Sequence, residues 1–256
     1  CNVTNENTES IQNTTSTHSV QSFSLVTTSD FSNLYATRPN GTRQRVTQHC
    51  SPTAATNIML YFRSTGDSPL SSSVGNSTIF MELYYAMDTN SISSSNEITA
   101  TGTQWSNIKP GISSFCSGRN CTPSSLGKVT SITYSGMKNH LNDGELLQIE
   151  LINFPSVNSN HSVVAFDYSG NYLSLSTGWD TDYHSYLYSG LSIGQYVYVG
   201  YWLSIQFGTF ILRAYHSTTN ELTIVVIART WKSSLLSCVF CPCVFVQTIT
   251  LSHIIA

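Results

Sequence analysis

Gln44-Arg45-Val46-Thr47-Gln48-His49-Cys50-Ser51-Pro52-Thr53-Ala54-Ala55-Thr56-Asn57 is the stretch on which the reading of this 256-residue chain turns. Ser51 and Thr53 are polar groups suited to a helix start. Pro52 is tolerated in a first turn, where its missing N–H has no partner inside the helix. Ala54, Ala55, Ile58, Met59 and Phe62 then recur at helical spacing and define one face to bury. Cys50 therefore opens an amphipathic helix, at the positive end of its dipole, where a thiolate is favoured over a thiol. A glutamine stands six residues upstream, so one short segment holds both a cysteine nucleophile and a donor for an oxyanion. The competing reading is a small buried cysteine at a helix start, since free cysteine is among the most buried residue types.

Working outward, the partner such a thiol needs is a base. His161 begins an apolar run to Phe166 that continues through Asp167-Tyr168-Ser169-Gly170-Asn171 into Tyr172-Leu173-Ser174-Leu175-Ser176. Alternation around Ser-Gly-Asn predicts a β-hairpin, with the histidine at a strand start facing a helix. From there it can take the thiol proton and return it to a leaving amine. An isolated histidine beside a strand is more often a plain polar residue; Cys50 is what raises this one.

On Gln44, the Cys50-to-Asn57 helix start and the Asn160-His161-Ser162-Val163-Val164 strand, the chain resembles the bacterial papain-like cysteine peptidases, near the streptopain and bacteriocin-processing branches, over about residues 22 to 207. The eukaryotic cathepsin form, with a glycine and a second cysteine just before the nucleophile, is absent. The resemblance implies an α+β fold: a helical half carrying the nucleophile, packed on a twisted antiparallel sheet half carrying the histidine. It makes Cys50 the nucleophile and His161 the base of a cysteine endopeptidase acting on peptides or proteins, without metal or other cofactor. Gln44 would bind the oxyanion beside the Cys50 N–H. The family's third position, an Asn or Asp two residues before a tryptophan, falls on Thr177 in Ser176-Thr177-Gly178-Trp179-Asp180. Either the Thr177 hydroxyl accepts the ring N–H or Asp180 reaches in from the next turn, while Trp179 covers the contact from water. Thr177 also keeps two alternatives open: a papain-fold surface protein that binds without catalysis, and an amidase acting on cell-wall peptides with the same dyad.

Composition bounds the rest. Only 10% of residues are charged and the net charge is −3, so no polyanion-binding surface is implied and nucleic acid is excluded as a partner. Residues 1–21 are polar and read as a flexible tether. Abundant Ser, Thr and Asn, with cysteine at position 1, point to a secreted or cell-surface protein, lipid-anchored if Cys1 carries the lipid. Residues 208–256 form an atypical apolar extension, and from Ser233 to Ala256 it has no Lys, Arg, Asp or Glu, long enough to cross a bilayer. Membrane attachment would thus use Cys1 or this segment. Cys238, Cys241 and Cys243, with His253, lack the second paired half of a zinc site.

Between these landmarks, Ser77 to Thr89 predicts a second helix and Gly102 to Pro110 a loop. Gly127 to Met137 leads into the sheet half. Glu145 to Ile152 and Tyr196 to Phe207 predict strands, being rich in β-branched, aliphatic or aromatic residues.

Overall fold

The computed structural model describes residues 24–66, 70–154 and 159–201, and three further strands by their backbone alone. The chain divides into two compact units, Cys1–Ser204 and Ile205–Ala256. In the first, α1 (Thr28–Phe31), the short hairpin β1 (Tyr35–Thr37) and β2 (Arg43–Arg45), α2 (Cys50–Thr65), α3 (Asn76–Ala86) and α4 (Trp105–Gly118) come first. They are followed by β3 (Leu126–Val129), α5 (Tyr134–Asn142), β4 (Leu146–Phe154), β5 (Ser159–Ser169), β6 (Tyr172–Ser176), β7 (His184–Leu187) and β8 (Ile193–Val199). Strands β3 to β8 make one six-stranded sheet in the order β3-β8-β4-β5-β6-β7, antiparallel at every pairing. Helices followed by an antiparallel sheet is the mixed α and β architecture expected of the sequence.

Helix α2 is the centre of the helical part. It is buried from Ser51 to Phe62, on all sides rather than along one stripe, because α3 covers it from one side and β4 and β5 from another. Gly66 ends it in the left-handed conformation (φ 79°), its N–H returning to Phe62 and Arg63 carbonyls. Asn57, buried in the helix, is satisfied by Val26: its Oδ1 accepts from Val26 N at 2.8 Å and its Nδ2 donates to Val26 O at 2.9 Å.

Strand parity sorts the sheet into two faces. Val164 and Phe166 of β5, with Val197 and Val199 of β8, join the core around α2. Val163 and Ala165, with Leu147, Ile149 and Leu151 of β4, face a second core closed by Met137 and Leu141 of α5. The α2 face is not apolar throughout. Gln148 and Glu150 of β4, Ser162 of β5 and Gln195 of β8 are all buried polar residues on it, at the end where α2 begins.

Three expectations are corrected here. The stretch from Gly102 to Pro110 is not a loop throughout, since α4 starts at Trp105 and runs through Pro110. Ile108, Ile112 and Phe115 supply a buried face, and Pro110 stays on the exposed side, so packing outweighs the lost hydrogen bond. The second helix stops at Ala86, and a tight turn with left-handed Asp88, Asn90 and Ser91 follows. The strand expected from Tyr196 is β8, beginning at Ile193 and ending at Val199; residues 202–207 lie outside the described residues.

The second unit holds β9 (Ile211–His216), β10 (Leu222–Arg229) and β11 (Val244–Leu251), an antiparallel sheet in the order β11-β10-β9. Among the described residues no helix is long and apolar enough to cross a membrane. Cys1, Cys238, Cys241, Cys243 and His253 lie outside the described residues, and so does the tether of residues 1–21.

Candidate active site

Cys50 is the first residue of α2, half-buried, and it sits against the start of β5. The Ser162 backbone N–H and both the N–H and hydroxyl of Ser51 reach its sulfur. These donors favour the thiolate, but burial, seconded by the Glu150 carboxylate, outweighs them and pushes the thiol up to about 11. The helix end therefore does not decide the charge of Cys50, contrary to the expectation from the sequence. Desolvation by the sheet and a carboxylate from β4 decide it.

His161 is the residue before Ser162. Ser162 faces α2, so His161 turns towards the second core, where its ring stacks on Trp179 at 4.3 Å and on Phe154 at 5.6 Å between centroids. Its Nε2 lies 2.8 Å from the Thr177 carbonyl oxygen. A carbonyl only accepts, so Nε2 carries the proton and Nδ1 is left as the basic nitrogen. Burial lowers the pKa of His161, and the Thr177 carbonyl offsets part of that. Among the described residues no hydrogen bond joins the Cys50 sulfur to His161. Burial thus favours the neutral form of both groups, the thiol of Cys50 and the imidazole of His161.

The third position resolves into a backbone contact. Thr177 is buried and presents its carbonyl, not its hydroxyl, to His161; the hydroxyl lies 3.4 Å from the Trp179 N–H, which donates to it. Asp180 does not reach in. It is exposed and receives the His184 Nε2 at 2.9 and 3.0 Å. Gly178, left-handed at φ 74°, turns the loop back onto α2: a Cβ there would stand 3.4 Å from Thr53 Cγ2, and the Gly178 carbonyl accepts from Thr28 N at 2.7 Å. The same short loop thus touches the first turn of the Cys50 helix and holds the His161 ring.

Gln44 lies on β2, opposite Ala36. Its side-chain oxygen receives Arg38 Nε at 2.9 Å and Nη2 at 2.6 Å, which leaves the amide nitrogen turned away from Arg38 with no partner among the described residues. Arg38, 4% exposed, spends its remaining donors on the carbonyls of Asn90, Ser91, Ser95 and Glu97. It is a buried cation neutralised by dipoles, and it ties the Gln44 hairpin to the loop after α3. Sequence reasoning singled out Gln44 but not Arg38, whose carbonyl partners are spread over eight residues of a distant loop.

It also missed the polar cluster under Cys50. Gln148 Nε2 donates to Ser51 O (3.2 Å) and to Ser162 Oγ (2.9 Å), and Ser162 Oγ donates to Glu150 Oε1 at 2.7 Å. The signal was present, because Gln148 and Glu150 interrupt an apolar strand at period two. No group of three or more His, Cys, Asp or Glu side chains among the described residues is arranged to hold a metal ion. An open hollow between α3 and α4, lined by Glu82, Tyr85, Phe115 and Arg119, shares no residue with this site.

No protein-family model matches the chain, and no curated protein is similar to it. Among solved structures it is similar to that of active wild-type Prevotella intermedia interpain A cysteine protease, at 13% identity and a TM-score of 0.43, over 68% of this chain and 92% of that one. So slight a likeness decides nothing about the chemistry of the site.

Proposed function

We propose that this chain is a papain-like cysteine endopeptidase with Cys50 as nucleophile and His161 as base. The observation that supports it is the commitment of His161 Nε2 to the Thr177 carbonyl, which leaves Nδ1 as the basic nitrogen of a residue whose chain neighbour, Ser162, acts on the Cys50 thiol. In the reaction, Cys50 loses its proton to His161 Nδ1 and its sulfur adds to the peptide carbonyl carbon. The oxyanion so formed is received by the Cys50 N–H and by the Gln44 amide, which Arg38 holds by its oxygen. His161 then protonates the leaving amine, and water, deprotonated by the same nitrogen, releases the acyl group. Thr177 and Trp179 are positioning residues, fixing the tautomer and plane of the imidazole. The same proposal has the protein act outside the cell or on its surface.

A second reading, a binding protein on the same scaffold, is favoured by one observation: the thiol is pushed up to about 11 and is not hydrogen-bonded to His161. Labelling by an epoxysuccinyl inhibitor at neutral pH separates the two. Stoichiometric modification at Cys50, lost in Cys50→Ala and reduced at least about a hundredfold in His161→Ala, is the expected result. A folded protein that takes no label is a binding protein and not a peptidase.

A further inference from the structure

Glu150 is a titratable group that the mechanism above does not use, and it lies beside the nucleophile. It is 2% exposed, in the middle of β4, on the face that meets α2. Its hydrogen-bond partners are neutral: the Ser162 hydroxyl donates to Oε1 at 2.7 Å and Gln148 Nε2 approaches at 3.3 Å. Across the sheet its register neighbours are Ser162 on β5 and Gln195 on β8, neither of which titrates. From α2 the titratable group facing it is Cys50; His161, next to Ser162 on β5, is stacked on Trp179 and held by the Thr177 carbonyl. No Lys, Arg or His pairs with Glu150 among the described residues. An unpaired buried charge is costly, so this site favours the neutral acid.

The neighbouring amide points the same way. Gln148 Nε2 faces Ser51 O, an atom that only accepts, and this settles which end of the amide is nitrogen. Gln148 Oε1 is then a buried acceptor with no donor. The amide thus brings Glu150 one long N–H contact and no counter-charge. Ser162 links the two ends of the cluster, because its backbone N–H reaches Cys50 and its hydroxyl reaches Glu150.

We infer that Glu150 is a proton-operated gate on Cys50: protonated, it leaves room for a thiolate at the head of α2, and ionised, its unbalanced charge holds Cys50 as the thiol. The pocket tolerates one negative charge, not two. Glu150 keeps its own proton through the reaction, and the thiol proton goes to His161. The physical consequence is a nucleophile whose thiolate population stops growing with pH as Glu150 ionises near neutrality, and resumes only at higher pH. The direction of the Glu150 shift agrees, since burial raises its carboxyl to about 7. The gate gains its catalytic meaning from the peptidase reading, but its effect on the thiol can be measured without it.

The experiment is alkylation of Cys50 by iodoacetamide in the full chain, followed by peptide mass mapping, for wild type and Glu150→Gln at about pH 5 and about pH 8.5, on either side of that midpoint. At the alkaline pH the variant is expected to react about tenfold faster than wild type, and at the acid pH the two converge. A ratio that is the same at both pH values, or a variant never faster, overturns the gate. Should Glu150→Gln fail to fold, wild type alone decides. The logarithm of its Cys50 rate flattens between about pH 7 and pH 8 before rising again if the gate exists, and climbs without a break if it does not. Epoxysuccinyl labelling and peptide hydrolysis in the same samples keep the two ideas apart. A pH-dependent ratio without hydrolysis sinks the peptidase and spares the gate; hydrolysis with a flat ratio does the reverse.

Discussion

Glu145 and Glu150 leave the same stretch of chain, and both side chains are largely withdrawn from water, but they meet opposite surroundings. Glu145, just before β4, is held by the His140 ring and by the Ser125 hydroxyl, so one carboxylate fastens α5 and the segment entering β3 to the sheet. Glu150, inside β4, has only a serine and an amide, with a thiol across the helix interface. The first is a fully partnered clip. The second is a carboxyl without a counter-charge, and burial drives it towards its neutral form. Residue type is the same in both; the partners separate structure from chemistry.

The largest effect that would break this contrast is on stability. Glu150 has a folded value of about 7 against an ordinary value of 4.5, so between these the folded state binds more protons than the unfolded one. Stability is therefore greatest below about 4.5 and falls as pH rises through about 7, by about 3 kcal/mol in all. His161, whose value is lowered, works in the opposite sense: it costs stability as pH falls below 6.5. Urea unfolding of wild type and Glu150→Gln across this range isolates the first effect, because the Glu150 slope is absent from the variant. Equal slopes would return Glu150 to the same class as Glu145.

Gly178→Ala tests the loop shared by Thr53 and His161. At φ 74° an alanine is strained and loses about 1–2 kcal/mol, measured by chemical unfolding. Epoxysuccinyl labelling of Cys50 should drop with it, as the Thr177 carbonyl moves off the imidazole. Glu145→Gln is expected to cost about 1 kcal/mol through the weakened His140 contact while leaving Cys50 alkylation unchanged at every pH. A shift in that profile would mean that the two carboxyls communicate along β4. Asp180→Asn, at an exposed pair with His184, should stay within about 0.5 kcal/mol of wild type and label normally. Loss of labelling there would revive Asp180 as the group that orients His161.

Much of the architecture was legible in local pattern. The Cys50 helix start, the strand from Glu145 to Ile152 and the hairpin through Ser-Gly-Asn all follow from periodicity and turn chemistry, and α2, β4, β5 and β6 lie where those signals stand. Helix α4 was not legible, because Pro110 signals a break and only the burial of Ile108, Ile112 and Phe115 overrides it. Within the site, Thr177 was singled out for its hydroxyl, but backbone carbonyls have no signature in a sequence, and a carbonyl is what meets His161. Asp180 looked available by spacing and was taken by His184, one turn of chain away.

By itself, the order of residues determined which segments become helix and strand and which carry reactive groups, since hydrophobic period and capping act over a few neighbouring residues. Charge and proton state were decided by the tertiary structure alone. Cys50 and Glu150 stand far apart in the chain, and only the packing of α2 on β4 and β5 removes the water that would otherwise screen one from the other.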